Sequence, residues 1–154
     1  QEGIPPKDAL TLLALEIDNV DVLVCHNLEY DTKVVAKELE RHGLLNILRK
    51  PRMEKYCTMK SSKALCNIIA HNKRSGKSYI KYPTLSELYQ KLFGADVSGL
   101  HDAHMDTAVT LRCYLRLALN IDILPQELGI QEKLFKRSSK PSTFHSQVPS
   151  PVQQ

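Results

Sequence analysis

The sequence predicts an α/β layer fold, and three observations carry that reading. The stretch VLVCHNLEYDTKVVAKEL, residues 22–39, passes from a short apolar run into an amphipathic helical pattern, the strand-then-helix alternation of layered α/β proteins. Apolar residues recur at helical spacing in several further segments, separated by Gly, Pro and Asn punctuation. The chain has 154 residues, 42% of them hydrophobic and 25% charged, which is enough for one domain with a real core.

Taken in order, Pro5 and Pro6 suit a first helical turn. Leu10, Leu13, Ala14 and Ile17 then recur at helical spacing, with Asn19 as the residue just past the helix end. Asp21–Cys25 is too short for a helix and reads as a buried strand. Asp31–His42 reads as a helix with Val34, Val35 and Leu39 on one side, charges opposite, and Gly43 as its stop. Lys55–Thr58 is a weaker strand candidate. Ser61–Ile69 fits a short helix, and Asn72–Ser78 a basic loop containing Ser and Gly.

Thr84–Phe93 is the clearest helix. Thr84 and Glu87 form a capping box behind Pro83, Leu85, Leu88, Tyr89 and Leu92 line one face, and Gly94 ends it. A second long helix spans Ala103–Leu119, with Val109, Cys113 and Leu117 in one stripe. After Glu132 the chain turns basic, Ser/Pro-rich and poor in apolar residues. The expected division is therefore a folded domain over residues 1–132 and a disordered tail over 133–154.

Composition narrows the function classes. No apolar stretch approaches the roughly 20 residues of a membrane-spanning helix, and the opening QEGIPPKDAL lacks the pattern of a secretory signal. Cys25, Cys57, Cys66 and Cys113 form no CxxC pair and are expected to be free thiols in a reducing compartment, cytoplasmic or nuclear. A zinc site from Cys57, Cys66 and His71 lacks the usual ligand spacing. SGKS at residues 75–78 is not a phosphate-binding loop, because His71 stands where that motif needs a Gly.

The net charge of +4 is unevenly spread. Residues 49–81 hold 10 Lys or Arg against one acid, while the segments on either side are acidic. Such a block is either a solvated loop or a seat for a polyanion. Acidic flanks would repel nucleic acid unless they hold cations, which is a first hint of metal. Within the block Lys73, Arg74 and Lys77 are the candidate phosphate contacts.

Two segments carry candidate chemistry. CHNLEYD, residues 25–31, ends a strand with His-Asn and an acid, and HDAHMD, residues 101–106, places His101, Asp102 and Asp106 at a helix start. A capped, solvated helix start would explain the second segment without any function. Together, however, they resemble two motifs of the DnaQ-like 3′–5′ exonucleases, a family with the ribonuclease H-like fold. The HxAxxD of residues 101–106 is similar to that family's third motif and CHNLEYD to its second. Order, element context and a separation of about 70 residues agree, and the resemblance covers roughly residues 3–130. KYPTLSELYQKLFG resembles the segment between the two motifs.

The resemblance implies that Asp31 and Asp106 are metal-binding carboxylates and that His101 is the general base that deprotonates the attacking water. Two Mg²⁺ or Mn²⁺ ions would clamp the attacking and leaving oxygens of a phosphodiester, and such ions prefer carboxylate oxygens. A His can accept a proton at neutral pH. The subclass with Tyr as base would have it four residues before the Asp, where Asp102 stands. His104 competes for the role of base, but its spacing to Asp106 does not fit. His26 and Asn27 would shape the strand end, with Asn27 reaching substrate. The resemblance further implies a single-stranded or 3′-terminal DNA or RNA substrate, with a polymerase or another replication protein as the candidate partner.

The chain departs from the family at one place. The first motif, Asp-x-Glu on a strand, supplies two further metal carboxylates and is not found upstream of residue 22. The expected structure is thus an N-terminally incomplete exonuclease fold, with helices packed on a short remnant of the central sheet and little activity alone. A relative that binds nucleic acid without cutting it, and an unrelated interaction domain, are the other readings.

Overall fold

The computed structural model describes residues 3–44, 47–49, 52–98, 100–129 and 135–137. Helix α1 (Pro6–Ile17) leads into strand β1 (Val22–Cys25), which is followed by α2 (Leu28–Arg41) and, after a 3₁₀ turn at Ile47–Arg49, by β2 (Glu54–Cys57). Strands β1 and β2 pair in parallel, with Val22 opposite Glu54 and Cys25 opposite Cys57. Parallel neighbours need a crossover, and α2 supplies it. The α/β class expected from the sequence is therefore present, with only small sheets.

Alternation along β1 sorts its side chains between two layers. Leu23 packs on a cluster of Ile17, Leu48 and Met53, joined by Leu13 from α1 and Val35 from α2. Val24 points the other way, into a cleft shared with α6 (Ala103–Leu119). On that same side Tyr56 of β2 meets Tyr114 of α6 edge-on, with ring centroids 5.0 Å apart.

Two single-turn helices, α3 (Thr58–Ser61) and α4 (Lys63–Cys66), replace the one short helix expected over Ser61–Ile69. Asn67 in the left-handed region (φ 47°) ends α4 and lets the chain leave as a strand. The segment read as a basic loop is the tip of an antiparallel hairpin, β3 (Ile69–His71) and β4 (Ser78–Ile80). Helix α5 (Leu85–Phe93) has both arms of the Thr84–Glu87 capping box and Gly94 at φ 63° at its end.

The main core lies between α5 and α6, where Leu88, Tyr89, Val109 and Cys113 are at most 1% exposed. Arg112 is buried in the same interface. It bonds Asp122 at 2.9 Å and the Tyr89 hydroxyl, and its guanidinium stacks on Phe93. Its charge is thereby compensated, which makes it a structural cation.

Three details correct the sequence reading. Helix α2 begins at Leu28, three residues before Asp31, because Asn27 at φ −133° is the residue that breaks the helical run. Val34 is 43% exposed, so Val35 and Leu39 carry the buried face alone. Asn19 stands just past the Asp18 cap of α1, where the sequence reading put it. Strand β6 (Phe135–Arg137) pairs antiparallel with β5 (Ala95–Val97), so three residues of the expected tail are tied down by backbone hydrogen bonds. Residues 138–154 lie outside the described residues. The four cysteines are free thiols. Among the described residues no helix is long and apolar enough to cross a membrane.

Leu88 is fully buried, so Leu88→Ala is expected to cost about 2–5 kcal/mol. Thr84→Ala, which removes a solvent-side cap, should cost about 1 kcal/mol. Urea denaturation checks both; a smaller loss at Leu88 than at Thr84 would contradict this assignment of the core.

Candidate active site

The chain turns from β1 into α2 at His26, whose ring is held at both nitrogens. Nε2 lies 3.1 Å from the Pro83 carbonyl oxygen and Nδ1 lies 3.0 Å from the Thr58 hydroxyl. A carbonyl can only accept, so Nε2 carries a proton, and in the neutral ring Nδ1 accepts from Thr58. Burial lowers the pKa of His26 and outweighs the Pro83 carbonyl and the Asp31 and Asp106 carboxylates, all of which raise it. The lowered pKa favours the neutral ring in this bracket. It joins the end of β1, the start of α3 and the lead into α5.

Asp31 falls in the first turn of α2, where a carboxylate is favoured by the helix dipole. The Cys25 thiol lies against it. Burial first, then the Asp31 carboxylate, push that thiol up to about 12, so it keeps its proton and donates toward Asp31. Asn27 is the N-cap residue of α2, yet its side chain makes no capping bond.

The opposite wall is the start of α6. Asp102 caps it, accepting from the Met105 amide at 3.1 Å. His101 has a φ of 87°, a conformation that costs a non-glycine residue on the order of 1–3 kcal/mol. That backbone turns the His101 amide onto Asp106, with N to Oδ1 at 3.2 Å. The rest of the wall follows helical spacing from Ala103 through Asp106, Thr107 and Thr110 to Leu111. The core stripe Met105, Ala108, Val109, Arg112 and Cys113 is the same pattern displaced by two residues.

These walls enclose an open cleft of about 850 Å³. Asp31, Asn27, His101 and Asp106 all line it, while His104 is absent from its lining. Lys73, Arg74 and Lys77 are absent from the lining too; they stand at the exposed hairpin tip. Sequence reasoning passed over Cys25, Thr107 and Thr110. The signal for the two threonines was the second helical stripe beside the apolar one.

No protein-family model, no curated protein and no solved structure matches the chain.

The donors in the cleft are carboxylates, the ligand type hard divalent cations prefer. The set is small: among the described residues no group of three or more His, Cys, Asp or Glu side chains is placed to hold a metal ion. Two neighbouring acids are committed elsewhere. Glu29 is paired with Lys33 at 2.8 Å and Lys60 at 3.1 Å, and Asp102 is occupied as the cap.

The buried His26 gives the fold a pH signature. Its folded pKa lies below the ordinary 6.5, so the unfolded chain takes up the proton first as pH falls. The stability tied to the neutral ring is fully present above 6.5 and is lost as pH drops from there toward the lowered folded value. The urea midpoint is expected to fall between about pH 7 and pH 5, and His26→Gln to flatten that fall. An equally steep fall in the variant would assign the pH dependence to another group.

Proposed function

We propose that the chain carries part of a metal-dependent 3′–5′ exonuclease domain of the DnaQ-like type, with the ribonuclease H-like fold. One observation carries the reading. Asp31 and Asp106, remote in sequence, line one cleft together with His101, at the carboxyl end of a parallel strand. Ligand sites in α/β sheets form at such ends. Support comes from the His101 backbone, whose strained turn orients Asp106 by a direct hydrogen bond.

In this reading Asp31 and Asp106 hold divalent cations, Mg²⁺ or Mn²⁺, and Asn27 contacts the substrate. Bound ions supply charge neutralisation and a clamp on the attacking and leaving oxygens of a phosphodiester. His101, on the cleft rim, takes the proton from the attacking water. Hydrolysis proceeds from the 3′ end of a DNA or RNA strand.

Two ions need about four acidic ligands to offset their mutual repulsion, and the cleft shows two. The remaining pair, Asp-x-Glu by resemblance, would come from a strand added to β1. Among the described residues β1 has β2 as its one neighbour, and its four apolar side chains are only half-buried. An open, apolar strand edge accepts a further strand.

A second reading, a nucleic-acid-binding relative without catalysis, is favoured by the small number of ligands in the cleft. The two readings part on activity. The 154-residue chain alone should leave a 3′-labelled oligonucleotide intact. Joined to a strand bearing Asp-x-Glu, it should release mononucleotides in Mg²⁺ or Mn²⁺. His101→Ala should then lower kcat by about 10²–10⁴-fold with little change in KM. A joined protein that binds the oligonucleotide but never cuts it would favour the second reading. Turnover at enzymatic rates by the 154-residue chain, abolished by Asp106→Ala, would contradict the ligand assignment.

A further inference from the structure

The β3–β4 hairpin is exposed at every residue except the half-buried Ala70. Residues 71–80 are all exposed, with Ile69 at 65%, Tyr79 at 52% and Ile80 at 42%. A two-stranded hairpin is marginal in water without a partner for its faces. The cross-strand register puts Ile69 and Ile80 on one face, with His71 and Ser78 beside them, and Ala70 and Tyr79 on the other. Among the described residues neither edge of the hairpin pairs with a further strand.

The tip is not loose. Asn72 Oδ1 accepts from the amides of Arg74 at 2.8 Å and Ser75 at 3.1 Å, and Gly76 at φ 68° closes the turn back onto the Asn72 carbonyl. This turn displays Lys73, Arg74 and Lys77 together. No acid occurs in the sequence between Glu54 and Glu87, and among the described residues none of these three cations enters a salt bridge. Lys81, in contrast, is neutralised by Glu87 at 2.6 Å.

We propose that this hairpin is a docking surface for single-stranded nucleic acid, with the Tyr79 ring as a base-stacking platform and Lys73, Arg74 and Lys77 as phosphate contacts. Charge complementarity selects a polyanion, and the preformed turn spares much of the ordering cost of binding it. An exposed aromatic ring on the same hairpin as three cations selects bases over a plain polyanion, because every base has a face that stacks. Stacking of that kind needs splayed bases, which selects a single strand over a duplex. The surface lies outside the cleft wall, and the inference stands whether or not the cleft hydrolyses anything.

The test is fluorescence anisotropy in EDTA, where no metal-dependent cleavage interferes. The probes are a labelled single-stranded oligothymidylate and an abasic strand of equal length. The wild-type chain is expected to prefer the strand with bases by at least about fivefold, the low end of one stacking contact. Tyr79→Ala should remove that preference and keep the salt dependence, while Tyr79→Phe should retain both. Replacing Lys73, Arg74 and Lys77 together by Ala should weaken both probes and reduce the salt slope by about 2, as expected for three single-strand phosphate contacts. Unchanged circular dichroism would show that each variant is folded. Equal binding of the two probes by the wild type, an unaltered preference in Tyr79→Ala, or equal competition by polyglutamate would overturn the proposal.

Discussion

The parallel pairing of β1 and β2 is the constraint from which the rest of the structure follows. Two strands of four residues, aligned from Val22 opposite Glu54 to Cys25 opposite Cys57, must end at the same side of the molecule. The crossover that parallel pairing demands is α2, so the first turn of α2 necessarily starts at that end. Asp31 is carried there by topology before any chemistry is considered. Helix α6 packs across the same sheet, through Tyr114 against Tyr56, and its start delivers Asp106 and His101 to the same place.

Electrostatics then distinguish the polar groups bound to partners within the fold from those that line the cleft. His26 is neutral and spent on Thr58 and Pro83, the Cys25 thiol is protonated against Asp31, and Arg112 is enclosed by Asp122, Tyr89 and Phe93. Glu29 is neutralised by two lysines. What remains in the cleft is a pair of carboxylates with the exposed His101 beside them. Two like charges in one cleft favour a cation as the third party. Lys73, Arg74 and Lys77 lie apart from this, on the hairpin tip, and among the described residues none of the three enters a salt bridge.

Much of this was legible in the sequence. The capping box at Thr84 and Glu87 marks the start of α5, Gly94 marks its end, and the spacing of Leu85, Leu88, Tyr89 and Leu92 marks its face; each is a local signal and each is present. The same holds for the limits of α6 and for the strand ending at Cys25. The cleft residues were found from motif order, since periodicity cannot say that residues so far apart in sequence will meet. The hairpin was missed because its strands are three residues long and not buried, so no alternation of apolar and polar residues marks them. Pairing of Phe135–Arg137 with Ala95–Val97 was missed for a related reason: a basic, Ser/Pro-rich composition says nothing of an edge strand that a distant segment offers.

The claim that Asp31 and Asp106 together seat a divalent cation is tested most directly by titrating the isotopically labelled chain with Mn²⁺ and recording amide line broadening by NMR. The account predicts that broadening begins at two separate stretches, around Asp31 at the start of α2 and around Asp106 at the start of α6. Asp31→Asn or Asp106→Asn should each weaken it at both stretches, and the amides of the hairpin tip should stay sharp. Broadening centred on Glu29, or at one of the two stretches and unaffected by the other's substitution, would contradict it.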